Sequence, residues 1–281
     1  MQVKTITVLG GGIMGSGIAH VSALAEYKTC LFDISQEMLT RARDQIHSNL
    51  KKGVELNKLT QPQMDAAIAN LLYSQSFEEA SKSDFIIEAI PEDIALKIET
   101  FGKLDSLSPA HTIFASNTSS LSITEMAAAT RRPSQVIGMH FFNPVHKMKL
   151  VEMIKGLETD DDTLRTTEEV GRKMGKETVS VRESPGFVTS RINALIGNEA
   201  FYMLQEGVAS AEDIDKALKL GLNHPMGPFE MVDLVGLDTR LSILNYLHKT
   251  LGEKYRPAPL LVQYVKAGRL GRKTKKGVYE Y

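Results

Sequence analysis

Thr5-Ile6-Thr7-Val8-Leu9-Gly10-Gly11-Gly12-Ile13-Met14-Gly15 is the stretch on which the fold turns. Its first five residues are β-branched and apolar, as a central parallel strand buried on both faces requires, and glycines in a G-x-G-x-x-G pattern follow at once. Beyond them Met14, Gly17, Ile18, Val21 and Ala25 recur at helical spacing, and residues 29–32 give a second short apolar strand closed by Asp33. Glycines at a strand-to-helix turn let bare backbone approach a pyrophosphate at the helix N-terminus. Gly10, Gly12, Ile13, Met14 and Gly15 are therefore the expected cofactor contacts. Asp33 stands about twenty residues after the motif, where a carboxylate accepts hydrogen bonds from both ribose hydroxyls and repels a 2′-phosphate, which favours NAD while leaving room for some NADP use. A purely structural glycine turn, and Asp33 as a mere helix cap, are the plainer readings; Ser35 is the better cap.

Outward from this unit the alternation continues. Phe85-Ile86-Ile87 and Ile113-Phe114-Ala115 read as strands separated by a helix over 94–107, and strands over 136–139 and 150–154 follow. This predicts a Rossmann-type α/β fold with a doubly wound, mainly parallel sheet. Residues 36–69 form a long helical insertion with Lys51, Lys52 and Lys58 in its middle, read as a hairpin projecting from the sheet. From Pro185 strand signals cease and helices punctuated by glycine and proline take over. The expected division is 1–184, a dinucleotide-binding domain, and 185–281, an all-helical C-terminal domain.

Composition restricts the partners. A chain of 281 residues with a formal net charge of −1 has no field to recruit nucleic acid or an anionic membrane, which leaves small molecules or a second copy. The single cysteine, Cys30, excludes an internal disulfide framework, no run approaches the roughly 18 apolar residues a bilayer demands, and no metal is expected. With Met1 leading directly into a strand rather than a signal sequence, a cytoplasmic protein is expected.

Gly138-Met139-His140-Phe141-Phe142-Asn143-Pro144-Val145 places His140 at the carboxyl end of a strand, the edge where open α/β sheets bind ligands. An imidazole titrates near neutrality and can take a hydroxyl proton as hydride departs. Taken alone, a histidine here is more often structural. Glu152 changes that balance: in the apolar strand 150–154 an isolated carboxylate is costly, and one bonded to a ring nitrogen fixes the tautomer and stabilises the imidazolium. The alternative is a Glu152 facing solvent. Ser116-Asn117-Thr118-Ser119-Ser120 ends a neighbouring strand and offers hydroxyl and amide groups to a carbonyl, or caps the helix beginning near Ser122.

These segments, with Glu88-Ala89-Ile90-Pro91-Glu92, Ser184-Pro185-Gly186-Phe187, His224-Pro225-Met226-Gly227-Pro228 and Gly271-Arg272-Lys273-Thr274, closely resemble the short-chain 3-hydroxyacyl-CoA dehydrogenase family along essentially the whole chain. The resemblance implies oxidation of a 3-hydroxyacyl-CoA by NAD, with His140 as base, Glu152 as its partner and Ser119 binding the substrate oxygen. It also implies that Glu92, Lys97, Asn117, Ser119, Asn143 and Lys273 line the cofactor. Ser190 and Asn193 are expected near the acyl group, and Lys51, Lys52 and Lys58 near the CoA phosphates, with a solvated helix face as the equal alternative for the lysines. A homodimer through the C-terminal domain is expected as well. The chain departs from the family pattern at Ser190, where asparagine is common, at Asn49, near an expected serine, and at Glu26 and Lys275, where glycine is common and a positive φ would strain any other residue.

Other classes fit less well. β-Hydroxyacid dehydrogenases use a lysine base, UDP-sugar dehydrogenases need a nucleophilic cysteine, and flavoproteins need further segments. A non-catalytic NAD-binding protein would bind NADH without turnover.

Overall fold

In the computed structural model, which describes residues 2–281, the opening strand β1 (Thr5–Leu9) lies in the middle of an eight-stranded sheet, with Ile6, Val8 and Leu9 fully buried. Helix α1 (Ile13–Leu24) returns the chain to β2 (Lys28–Phe32), which pairs in parallel with β1. Then come α2 (Gln36–Glu55), α3 (Gln61–Ala69), β3 (Leu71–Ser74) and the single turn α4 (Phe77–Ala80). The second half of the winding runs β4 (Phe85–Glu88), α5 (Ile94–Leu107), β5 (Ile113–Ser116), α6 (Ile123–Ala128) and β6 (Val136–Phe141). It finishes with β7 (Leu150–Lys155), α7 (Asp161–Lys173) and β8 (Glu177–Arg182).

The strand order is β3-β2-β1-β4-β5-β6-β7-β8. It reverses direction between β1 and β4, the switch point at which doubly wound sheets bind ligands. All pairings are parallel except β6 with β7. The short connection 142–149 holds no crossover helix, so the two strands it joins can only run antiparallel.

Three features differ from the sequence expectations. β3 and β8 stand at the two edges of the sheet and bury little: Leu72 of β3 is half exposed, and none of the β8 side chains is buried. Edge strands face water and so lose the hydrophobic signature of inner ones. The helical insertion does not project either. Leu39, Ala42, Ile46 and Leu50, spaced along one face of α2, join Ile18 and Ala19 of α1 in the main core. α3 opens with a Thr60–Gln63 capping box and packs on α1.

Residues up to Glu183 form one compact unit and Ser184–Tyr281 a second. The second is built of helices α8 (Thr189–Gln205), α9 (Ala211–Gly221), α10 (Pro228–Val235), α11 (Leu237–Leu251) and α12 (Pro259–Lys266). Its own core centres on Phe201, which meets Phe229 and Tyr264 edge-on at 5.2 and 5.9 Å. Asp215 ties α9 to α10 by accepting from the backbone N–H groups of Phe229 and Glu230 at the start of that helix.

Glu26 and Lys275 both adopt left-handed backbone, with φ of 65° and 57°. Glu26 directly follows the last turn of α1, the position that glycine fills most easily. A side chain there costs about 1–2 kcal/mol, and glycine gives back about 0.5–1 kcal/mol in unfolded-chain entropy, so Glu26→Gly should stabilise the protein by roughly 0.5–1 kcal/mol. Urea unfolding checks this: a raised midpoint is expected, and an unchanged or lowered one contradicts the strain.

Candidate active site

The glycine turn between β1 and α1 is shaped for close approach. A Cβ on Gly15 would lie 1.8 Å from the Gly10 carbonyl oxygen, and Gly10 itself, at φ 104°, would press a Cβ to 2.6 Å from the oxygen of Ala89. Gly12 faces open space. α1 begins there with no side-chain cap and no acidic residue in its first turn, so its leading N–H groups are left for an outside acceptor. Asp33 closes the turn: one carboxylate oxygen accepts from Gly11 N at 2.7 Å, the other from Ser35 N at 2.8 Å, while the Ser35 hydroxyl caps α2. An uncapped helix start, a cradle that any Cβ would fill and a carboxylate at the tip of β2 together fit a dinucleotide.

On the same edge, two strands away from β4, His140 and Glu152 face each other across the antiparallel β6–β7 pair. His140 Nδ1 and Glu152 Oε2 are 2.7 Å apart, with Glu152 fully buried and the ring 7% exposed. The solvent-facing alternative for Glu152 is thereby removed. The ring of Phe142 leans on that of His140, centroids 4.6 Å apart. Asn117 joins this pair to the neighbouring strand end, its side-chain oxygen accepting from Phe141 N at 2.9 Å.

A second carboxylate holds the loops between. Glu88, at the end of the otherwise apolar strand β4 and 0% exposed, accepts from Lys97 Nζ and Ser116 Oγ at 2.6 Å and from Ile90 N at 2.8 Å. Burial pushes its carboxyl above the usual range, and Lys97 and Ser116 pull the other way. Lys97, itself buried, also reaches Glu92 at 3.3 Å, and Glu92 accepts from Thr118 Oγ1 at 2.5 Å and from Ser119 N at 3.1 Å. Ser119, Glu92, Lys97 and Glu88 thus form one continuous network. In it Lys97 is spent on carboxylates rather than standing at the surface. Ser122 caps α6, so the serine-rich segment both caps and serves this network.

A cavity of about 440 Å³ opens beside the glycine turn, lined on its α2 side by Arg41, Gln45 and Asn49 and opposite by Asn143 and His146. None of Lys51, Lys52 and Lys58 is on its wall. Lys58 lies beyond the end of α2, in the turn to α3. Sequence reasoning missed Arg41, although its spacing from Asn49 by two i,i+4 steps was a usable signal. It named Glu88 only within a motif, although a glutamate in Phe85-Ile86-Ile87-Glu88 is as conspicuous as Glu152. Ser190 and Asn193 stand three residues apart at the start of α8, and Lys273 donates to Asp238 at 2.6 Å; all three belong to the helical unit. Among the described residues no group of acids, histidines and cysteines is arranged to hold a metal.

Comparison with known proteins agrees with this geometry. The NAD-binding domain of 3-hydroxyacyl-CoA dehydrogenase matches residues 5–184, and the C-terminal domain of the same enzyme matches residues 186–281. A probable 3-hydroxybutyryl-CoA dehydrogenase of Bacillus subtilis is 49% identical over 100% of this chain and 98% of its own length. The 3-hydroxybutyryl-CoA dehydrogenase of Clostridioides difficile is 45% identical over 98% and 99%. The crystal structure of (S)-3-hydroxybutyryl-CoA dehydrogenase PaaH1 from Ralstonia eutropha superposes with a TM-score of 0.97 at 42% identity, covering 100% of this chain and 99% of that one. With both domains matched in order and relatives aligned end to end, the chain belongs to the 3-hydroxyacyl-CoA dehydrogenase family.

Proposed function

We propose that this protein interconverts (S)-3-hydroxybutyryl-CoA and acetoacetyl-CoA, with His140 and Glu152 as its acid/base pair. The observation that carries the reading is the buried 2.7 Å contact between those two side chains on the sheet edge that also bears the glycine turn. NAD, when bound, supplies the hydride acceptor or donor. Gly10, Gly12, Ile13, Met14 and Gly15 hold its pyrophosphate, and Asp33 its ribose. Glu92, Lys97, Asn117 and Asn143 bound the rest of its site, Lys97 through the carboxylates it fixes.

With Nδ1 engaged by Glu152, proton exchange with the substrate runs through Nε2 of His140. In oxidation His140 takes the C3 hydroxyl proton as the hydride leaves; in reduction it returns one. Glu152 keeps the ring in the needed tautomer and stabilises its charged form. Ser119 donates its hydroxyl to the substrate oxygen, and the hydrogen bond it makes with Glu92 in the free protein holds that side chain ready. Ser190, Asn193 and Lys273 remain the acyl and cofactor contacts that the family resemblance assigns to the helical unit. For the CoA moiety, the cavity wall of Arg41, Gln45 and Asn49 is a better-placed candidate than the three lysines.

The helical unit exposes large apolar side chains, among them Val188, Ile192, Leu220, Leu222 and Leu234, which supports a homodimer through this unit. Among the described residues no helix is long and apolar enough to cross a membrane. The one cysteine is buried and free, which suits a cytoplasmic enzyme.

Acetoacetyl-CoA-dependent oxidation of NADH tests the assignment. His140→Ala should lower kcat by about 10²–10⁴-fold with little change in NADH affinity. Native protein that binds NADH but never turns over would support the binding-protein alternative instead. With NADPH, the Asp33 carboxylate facing a 2′-phosphate should lower kcat/KM by about a hundredfold or more. Equal use of both cofactors in the same assay would remove Asp33 from the ribose site.

A further inference from the structure

The cavity beside the glycine turn carries on its wall a second histidine that the proposed reaction does not use. This is His146, six residues beyond His140, and its ring stacks on that of His20 in α1 with centroids 5.6 Å apart and planes 12° apart. His20 is only 3% exposed, and its Nδ1 has no hydrogen-bond partner. Its ring therefore acts as a flat support for the outer one. Lys176 fixes the backbone on both sides of His146, donating to the carbonyl oxygens of Val145 at 2.5 Å and Met148 at 2.8 Å. Gly17 completes the seat: a Cβ there would come within 2.9 Å of the Val145 side chain. The imidazole is thus held in place at the cavity wall rather than left on a loose loop.

The charged side chains nearest it are two lysines, and the one arginine on the cavity wall is paired with a glutamate. His20 faces it from α1, Lys176 from the turn before β8, Lys147 from its own loop, and Arg41 lines the cavity from α2, bonded to Glu37 one turn away on that helix. Among the described residues lining the cavity there is no carboxylate. Burial, Lys147 and Lys176 hold the His146 imidazole below its ordinary value, and burial, with His146 and Lys176 beside it, lowers His20 to about 4. Both shifts favour the uncharged ring in the free protein. The cavity also borders the uncapped start of α1, so the leading N–H groups of that helix, Arg41 and the His146 ring meet at one space.

We propose that His146 is a proton-linked contact for the phosphates of a bound nucleotide, its ring taking up a proton from solvent as the phosphate-bearing part of the ligand enters the cavity. NAD and the CoA portion of the substrate both carry a pyrophosphate, so this chemistry has two sources. The inference rests on the proposed function only in that its ligands carry phosphate; the reaction itself is not involved. The sign follows from linkage. A negative ligand raises the titration point of the ring in the complex above that of the free protein, so affinity is independent of pH well above both points. It then strengthens as pH falls through the interval between them.

Calorimetric titration of the whole protein with NADH and, separately, with CoA, at pH about 6 and about 8 and in buffers of different ionisation enthalpy, reads both affinity and proton uptake. One ligand is expected to bind the native protein about tenfold more tightly at the lower pH, with uptake of up to one proton, and His146→Gln should lose both effects while keeping the affinity seen at the higher pH. The ligand whose binding is proton-linked identifies the source. Because native uptake is itself a readout, a variant that folded poorly would not shield the proposal. Neither ligand producing uptake in the native protein, or the same pH dependence in His146→Gln and native, overturns it. Turnover is not read, so failure here is distinct from failure of the reaction assignment.

Discussion

A carboxylate without solvent exposure, Glu152, lies directly across the sheet from His140, and the antiparallel turn of β7 is what puts it there. Had the sheet continued in parallel, a crossover would have separated the two side chains. The short connection 142–149 instead brings residues twelve apart in sequence into register. A buried carboxylate needs a partner, and a strand-end histidine needs an orienting group; each meets the other's requirement. The remaining site is arranged around that pair, with β5 linked to it through Asn117 and β4 linked to β5 through Glu88 and Ser116.

How much of this was legible in the sequence depended on how local each signal was. β1, its glycine turn and Asp33 were readable because strand, turn and helix follow one another without interruption. His140 and Glu152 were readable because each sits at a position where its type is out of place among apolar neighbours. β3 and β8 were not: β3 is four residues long and follows α3 after a single residue, and β8, at the other edge, has no buried side chain to mark it. The packing of α2 on α1 was concealed because the insertion's apolar face is narrow and its surface heavily charged. Least legible was the stack of His20 on His146, which no periodicity brings together and which arises only where α1 passes the loop after β6. The strained backbone at Glu26 and Lys275 was legible only as a conditional statement, since a sequence shows the residue and not its φ.

Charge is divided along the sheet edge. Acids, namely Glu88, Glu92 and Glu152, are gathered where β4, β5 and β7 meet the loops that hold hydroxyls and the imidazole. Arg41 and His146 line the cavity beside the glycine turn, with Lys176 holding the backbone behind His146, where phosphates are expected. One side is suited to moving a proton and the other to holding an anionic handle. Binding energy from the handle can then be used at the reacting carbon, remote from it.

The most direct measurement is the pH dependence of kcat in both directions of the reaction for the native enzyme. If His140 is the acid/base, oxidation needs its ring unprotonated and reduction needs it protonated, so oxidation must fall toward acid pH and reduction toward alkaline pH, giving opposed limbs. Identical profiles in the two directions would contradict a proton-exchanging imidazole and, with it, the His140–Glu152 pair as the acid/base of the reaction.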